Sequence, residues 1–311
     1  MNRKKIALIG GGQIGQILAL LAAQQELGDV VLLDIPELEH PVKGKALDLL
    51  QMAPADPFDA KVTGTSDYRD IAGADVVVIT AGIPRKPGMS REDLLSTNLT
   101  VIRAVADEVR THAPKAFVIV VTNPLDAMVY AFHKRSGFPK QQVCGMAGVL
   151  DTARWRAFVA LELDVSVEDV SGTVLGGHGP TMVPLPRLTT VGGVPLTALL
   201  DAATIERIAQ RTREAGTELV KLYGKGSAFF SPAGAAMVMV ESYLKDRKRV
   251  LPCAALCQGE YGIQDLFIGV PCRVGAGGIE KIYEIPLDDH ERSLLAKTVE
   301  TVRESAAEVD G

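Results

Sequence analysis

Residues 5–21 read KIALIGGGQIGQILALL, and residues 30–34 read VVLLD. Lys5 to Ile9 is a short apolar strand, and Val30 to Leu33 is another. Between them Ile14, Ile17, Leu18 and Leu21 recur at the spacing of a helix face. Gly10, Gly11, Gly12, Gln13, Ile14 and Gly15 form a GxGxxG sequence in the strand-to-helix context where that spacing carries meaning. Gly10 permits the tight turn, Gly12 lets backbone amides approach a pyrophosphate, and Gly15 brings the helix close to the strand. The helix N-terminus attracts phosphate charge. Asp34 ends the second strand about 20 residues on, where a carboxylate accepts hydrogen bonds from the adenosine ribose and repels a 2′-phosphate. Ile35 and Pro36 follow with no cation, which favours NAD over NADP.

Working outward, DVVVIT at 75–80 and AFVIVVT at 116–122 are too apolar for half-exposed strands and suit parallel strands covered on both faces. Arg91 to His112 and Pro124 to Arg135 read as helices. Strands alternating with helices over short connections predict an α/β, doubly wound Rossmann domain with a parallel sheet through residue 148. Residues 149–311 differ in texture. They show a helix from Thr152 to Leu163, a hairpin signal at Gly192-Gly193, and a long helix from Thr204 to Tyr223. Ser231 is an N-cap candidate with Pro232 at the first helical position, two short strands lie near Phe267–Ile268 and Lys281–Ile285, and a C-terminal helix begins at Asp288. A mixed α+β catalytic domain follows.

The chain has 311 residues, 47% of them hydrophobic and 23% charged, which excludes disordered, collagen-like and disulfide-scaffold classes. A net charge of -5 gives no electrostatic case for nucleic acid or an anionic membrane as partner. No window reaches the ~18 unbroken apolar residues of a membrane span. Arg3, Lys4 and Lys5 precede an apolar run, but Gly10–Gly12 break it too early for a signal core. Cys144, Cys253, Cys257 and Cys272 form no disulfide framework and read as buried thiols in a reducing compartment, so a cytoplasmic protein is expected.

A nicotinamide cofactor implies hydride transfer, and releasing an alcohol proton needs a base poised near neutral pH. Of His40, His112, His133, His178 and His290, only His178 sits on a glycine-rich loop, Gly176-Gly177-His178-Gly179, directly after a strand. That placement suits either chemistry or a structural histidine. Asp151 and Arg154 share a helix face, as a functional pair or as an N-cap and a surface charge. Arg85 and Arg91 flank a Pro/Gly stretch that is either a solvated connection or a cover bringing cations onto an anion. Lys245 to Arg249 reads as a solvated run.

Taken in order, LIGGGQIG (8–15), TAGIPRKPGMSREDLL (80–95), VTNPLD (121–126), LDTARWR (150–156), GGHG (176–179) and GVPCRVGAGGIEKIYEIPL (269–287) resemble the lactate/malate dehydrogenase family. Within it the chain is most similar to the lactate-dehydrogenase-like malate dehydrogenases, and the likeness spans nearly its whole length. The resemblance implies NAD-dependent interconversion of (S)-malate and oxaloacetate, the tricarboxylic acid cycle reaction, by a homodimer or homotetramer. It implies that His178 exchanges the hydroxyl proton, Asp151 orients the imidazole, and Arg154 clamps the carboxylate beside the reacting carbon. Arg91 polarises the keto oxygen, and Asn123 bonds substrate and holds the cofactor side, with Asn98, Val121 and Thr122 near the dinucleotide. Arg85 stands where lactate-specific members are uncharged, and pairs the second carboxylate of oxaloacetate, which is costly to bury alone. The alternatives are a dehydrogenase for lactate or a branched 2-hydroxy acid, and a non-catalytic NAD-binding module. The sequence departs from the family at Pro180, where an acidic residue is usual, and carries Thr152 where serine is common.

Overall fold

A computed structural model describes residues 3–84, 91–224 and 226–310. In chain order the first half runs β1 (Lys5–Ile9), α1 (Gln13–Gln24), β2 (Asp29–Leu33), α2 (Glu39–Met52), β3 (Val62–Thr65) and β4 (Val76–Ile79). It continues through α3 (Arg91–His112), β5 (Phe117–Val120), α4 (Leu125–Ser136) and β6 (Val143–Gly145). These strands are parallel neighbours in the order β6-β5-β4-β1-β2-β3, the doubly wound arrangement expected of alternating strand and helix. Val76–Ile79 and Phe117–Val120 are wholly buried, because helices cover both faces of the sheet.

The second half begins with α5 (Ala147–Leu163), followed by β7 (Val170–Ser171), β8 (Val174–Leu175), β9 (Val183–Pro184), β10 (Thr190–Val191) and β11 (Val194–Pro195). Then come α6 (Leu196–Leu199), α7 (Ala202–Tyr223), α8 (Phe230–Leu244), β12 (Arg249–Gln258), β13 (Gln264–Gly275), β14 (Gly278–Ile282) and α9 (Asp289–Asp310). The antiparallel strands β12, β13 and β14 do not make a separate sheet. Ala254 of β12 pairs with Gly145 of β6, so they extend the parallel sheet at that edge. A second core lies under α5, built on Trp155, Val159, Val174, Leu196 and Ile208.

Several local expectations shift. α5 begins at Ala147 rather than Thr152, so it runs unbroken past residue 148. α8 begins at Phe230, so Ser231 is not its cap, and Pro232 sits in the first turn, where its missing N–H costs no bond. The expected strand at Phe267–Ile268 is the middle of the long β13, whose partner β12 was not anticipated. The Gly192-Gly193 hairpin is present, with both glycines at positive φ between β10 and β11. All four cysteines are free and buried, and burial pushes the Cys257 thiol up to about 12. Among the described residues no helix is long and apolar enough to cross a membrane.

Candidate active site

The glycine loop is shaped by its neighbours. Gly10 has φ +109, and its amide donates to Leu33 O at 2.8 Å. A Cβ at Gly15 would lie 1.9 Å from Gly10 O, so α1 can seat on the turn only because no side chain intervenes. Around Gly12 nothing lies within 4 Å of where a Cβ would be, leaving open space at the start of α1. The first turn of α1 holds no acidic residue and no side-chain cap, so its amides and its dipole are free to meet an anion. Gln13 is exposed there, and Ile14 packs partly against the core. Asp34 Oδ2 accepts from Gly11 N at 2.8 Å, and Oδ1 accepts from Ile35 N at 2.9 Å. Each oxygen retains capacity for a ribose hydroxyl. Lys45 of α2, not foreseen from the sequence, donates to Gly11 O and braces the loop from the other side. These features fit a dinucleotide: room and amides for the pyrophosphate, and a held carboxylate for the ribose.

At the carboxyl ends of β4 and β5 the other expected cofactor residues converge. Val121 N donates to Ile79 O at 2.8 Å, and the Thr122 hydroxyl donates to Ala81 O at 2.7 Å. Asn98 is bonded to the backbone on both sides. Its Oδ1 accepts from Ile83 N at 2.9 Å, while Nδ2 donates to Ile83 O and to Asn123 O at 3.1 and 2.7 Å. With those bonds made and 1% exposure, Asn98 fastens the loop after β4 to the turn before α4. Asn123 is exposed, ahead of a cis Asn123–Pro124 bond.

His178 faces this edge from the second half. Its loop leaves β8 and is fixed on two sides. Gly176 and Gly269 of β13 exchange amide-to-carbonyl bonds of 2.9 and 3.0 Å, and Gly177 N donates to the Thr298 hydroxyl of α9 at 3.0 Å. A Cβ on Gly177 would come within 2.4 Å of Val302 Cγ2, so the backbone lies flat on α9. Pro180, the departure from the family pattern, occupies the second position of a turn closed by Met182 N donating to Gly179 O at 3.0 Å. Proline presets φ there and forfeits no bond that the turn uses.

The imidazole Nδ1 lies 2.9 Å from Asp151 Oδ2. A carboxylate at Nδ1 requires the proton there, leaving Nε2 as the acceptor. Burial alone would push the imidazole below its ordinary value, but the Asp151 charge and hydrogen bond outweigh this and hold it above. Asp151, 2% exposed, also accepts from Arg154 Nη1 at 3.4 Å. Burial lowers the proton affinity of the Arg154 guanidinium without threatening its charge, and its Nε is buried with no hydrogen-bond partner among the described residues. Trp155 beside it is wholly buried and donates to the Thr189 hydroxyl at 2.9 Å, while the Thr152 hydroxyl accepts from Val174 N at 3.0 Å. Both lock the face of α5 that carries Asp151 and Arg154.

The remaining expectations separate cleanly. Arg85 lies outside the described residues, as does the side chain of Arg91, which opens α3. His133 packs edge-on to Phe267 and burial lowers its proton affinity, the behaviour of a structural histidine. Lys245 and Arg247 pair with Glu241, and Lys248 with Asp246 and Glu280, as a solvated network. Sequence reasoning passed over Asp126, whose Oδ2 accepts from His178 N at 2.9 Å.

Residues 4–145 match the model for the lactate/malate dehydrogenase NAD binding domain, and residues 148–310 match that for the lactate/malate dehydrogenase alpha/beta C-terminal domain. A malate dehydrogenase of Myxococcus xanthus is 58% identical over 308 residues, covering 99% of this chain and 98% of its own. The crystal structure of Cryptosporidium parvum malate dehydrogenase superposes with a TM-score of 0.96 at 44% identity, covering 99% of each chain. The lactate dehydrogenase of the same organism, complexed with lactic acid and nicotinamide adenine dinucleotide, gives 0.96 and 44%, covering 100% of this chain and 99% of its own. Backbone shape is therefore shared across both substrates, and the chain belongs to the lactate/malate dehydrogenase family.

Proposed function

We propose that the chain interconverts (S)-malate and oxaloacetate as an NAD-dependent oxidoreductase, with residues 1–148 holding the cofactor and 149–311 supplying the acid–base and carboxylate-binding groups. The observation that carries this reading is the buried cluster in which Asp151 bonds both the His178 imidazole and the Arg154 guanidinium. It puts a cation for a substrate carboxylate beside a base.

When bound, NAD supplies the acceptor or donor of the hydride at the carbinol carbon. Gly10 to Gly15 hold its pyrophosphate on the amides of α1, and Asp34 holds the adenosine ribose. Asn98, Val121 and Thr122 would lie near the dinucleotide, and Asn123 bonds the substrate and would hold the cofactor side. Arg154 grips the carboxylate next to the reacting carbon through a bidentate pair. In the oxidative direction His178 Nε2 takes the hydroxyl proton as the C–O bond becomes a carbonyl, and Asp151 stabilises the resulting imidazolium. In reduction the same proton returns to the oxygen. Arg91 polarises that oxygen, and Arg85 neutralises the far carboxylate.

Arg85 also sets the preference for a dianion, since a desolvated guanidinium facing the methyl of pyruvate has no partner. The Myxococcus xanthus relative is named a malate dehydrogenase, which supports the same choice. A cytoplasmic location, supported by the free, buried cysteines, and a homodimer or homotetramer complete the reading. The test is Arg85→Gln assayed with NADH on oxaloacetate and pyruvate. The oxaloacetate preference in kcat/KM is expected to fall at least about a hundredfold, corresponding to roughly 3 kcal/mol for breaking a desolvated ion pair. An unchanged ratio would remove Arg85 from substrate choice.

A further inference from the structure

Two carboxylates bear on His178, and only one of them touches its ring. Asp126 sits in the first turn of α4, where the helix dipole favours an acid on any protein. Here the side chain does more, because its Oδ2 accepts the backbone N–H of His178 at 2.9 Å, across 52 positions of sequence. The preceding Gly177 is pressed into the same corner, since a Cβ there would lie 3.2 Å from Asp126 Oδ2. α4 follows directly on Asn123, whose carbonyl is itself held by Asn98. One short segment, Asn123 to Asp126, thus bears a substrate-bonding residue at one end and the anchor of the His178 backbone at the other.

We propose that Asp126 is a positioning residue for His178, tying the loop that carries the base to the segment that carries Asn123. The proposal rests on the proton-relay reading of His178 given above. Asp151 orients the ring from α5, and Asp126 fixes the backbone behind it from α4. A loop held at Gly176 by β13, at Gly177 by α9 and at His178 by α4 leaves the imidazole little freedom except rotation of its own side chain. Among the described residues, the charges acting on His178 are Asp151 and Arg154 from α5 and Asp126 from α4, whereas α9 meets its loop with the Thr298 hydroxyl. The Asp126 charge therefore favours the imidazolium, in the same sense as Asp151.

The experiment compares Asp126→Asn, Asp126→Ala and His178→Asn in the full-length enzyme, by pH profiles of kcat/KM in both directions and by NADH binding. Asparagine keeps an acceptor for the His178 amide and removes the charge. Malate oxidation needs the neutral imidazole, so its acid limb is expected to move to lower pH by about half a unit. Oxaloacetate reduction needs the imidazolium, so its alkaline limb moves the same way. Alanine also removes the acceptor and is expected to lower kcat/KM about tenfold with NADH affinity kept within about twofold. While H178N is inactive, full kcat/KM in D126A, or a D126N as impaired as D126A, overturns the proposal; D126N profiles superimposable on wild type assign the positioning to the hydrogen bond alone. Turnover retained in H178N overturns the relay reading and this proposal together.

Discussion

Two glycine-rich loops, Gly10–Gly15 and Gly176–Gly179, do opposite jobs with the same residue. In the first, absent side chains leave open space at Gly12 and let α1 sit against its own turn, so that backbone amides become the binding surface. In the second, absent side chains let the backbone be clamped by α9 and β13, so that one side chain, His178, is presented rigidly. The nucleotide loop is braced by Leu33, Asp34 and Lys45, all within the first 45 residues. The histidine loop is clamped by residues far away in sequence, Asp126 on one side and Gly269 and Thr298 on the other. Damage to one should therefore register in cofactor affinity, and damage to the other in turnover.

The largest expected effect is on His178→Asn, which should lower kcat on the order of a thousandfold, within the usual range for losing a general acid–base group, while NADH binding persists. Equal loss of NADH affinity would show that the two loops are not separable. Next come Gly15→Ala and Gly177→Ala as a matched pair. The first puts a methyl 1.9 Å from a backbone carbonyl that cannot yield cheaply, and should weaken NADH binding at least about tenfold. The second meets the Val302 side chain at 2.4 Å, and should lower kcat about tenfold with NADH affinity intact. Exchanged phenotypes would reverse the comparison. The smallest effect belongs to Pro180→Ala. Its turn should persist, with kcat/KM within about twofold and a stability loss of ~0.4–1 kcal/mol from the freer unfolded chain. A tenfold loss of activity would instead show that proline shapes the site.

The same contrast explains what the sequence made legible. β1, β4 and β5 are runs of β-branched and aliphatic residues with both faces covered, and such runs announce themselves. α2 does not, because EHPVKGKALDLLQM contains Pro41 and Gly44 and buries only Val42 and Ala46. β12 hides behind the Lys245–Arg249 charges and carries Pro252 in its interior. The residues of the nucleotide loop were readable from spacing and chemistry alone. His178, Asp151 and Arg154 were candidates whose grouping required the family resemblance, since no local pattern joins position 151 to position 178. Asp126 and Lys45 were missed for a sharper reason: each acts on a backbone atom of a distant loop, and a backbone partner leaves no trace in side-chain identity. Asn98 was expected near the dinucleotide, and its bonds to Ile83 and Asn123 were not foreseen.

Trp155 has a practical consequence. It is the chain's single tryptophan, wholly buried next to Arg154 and bonded to Thr189. Its emission therefore reports on the packing beneath α5. A red shift during denaturation times the exposure of that one core, giving an optical clock for the half of the molecule that bears the acid–base chemistry.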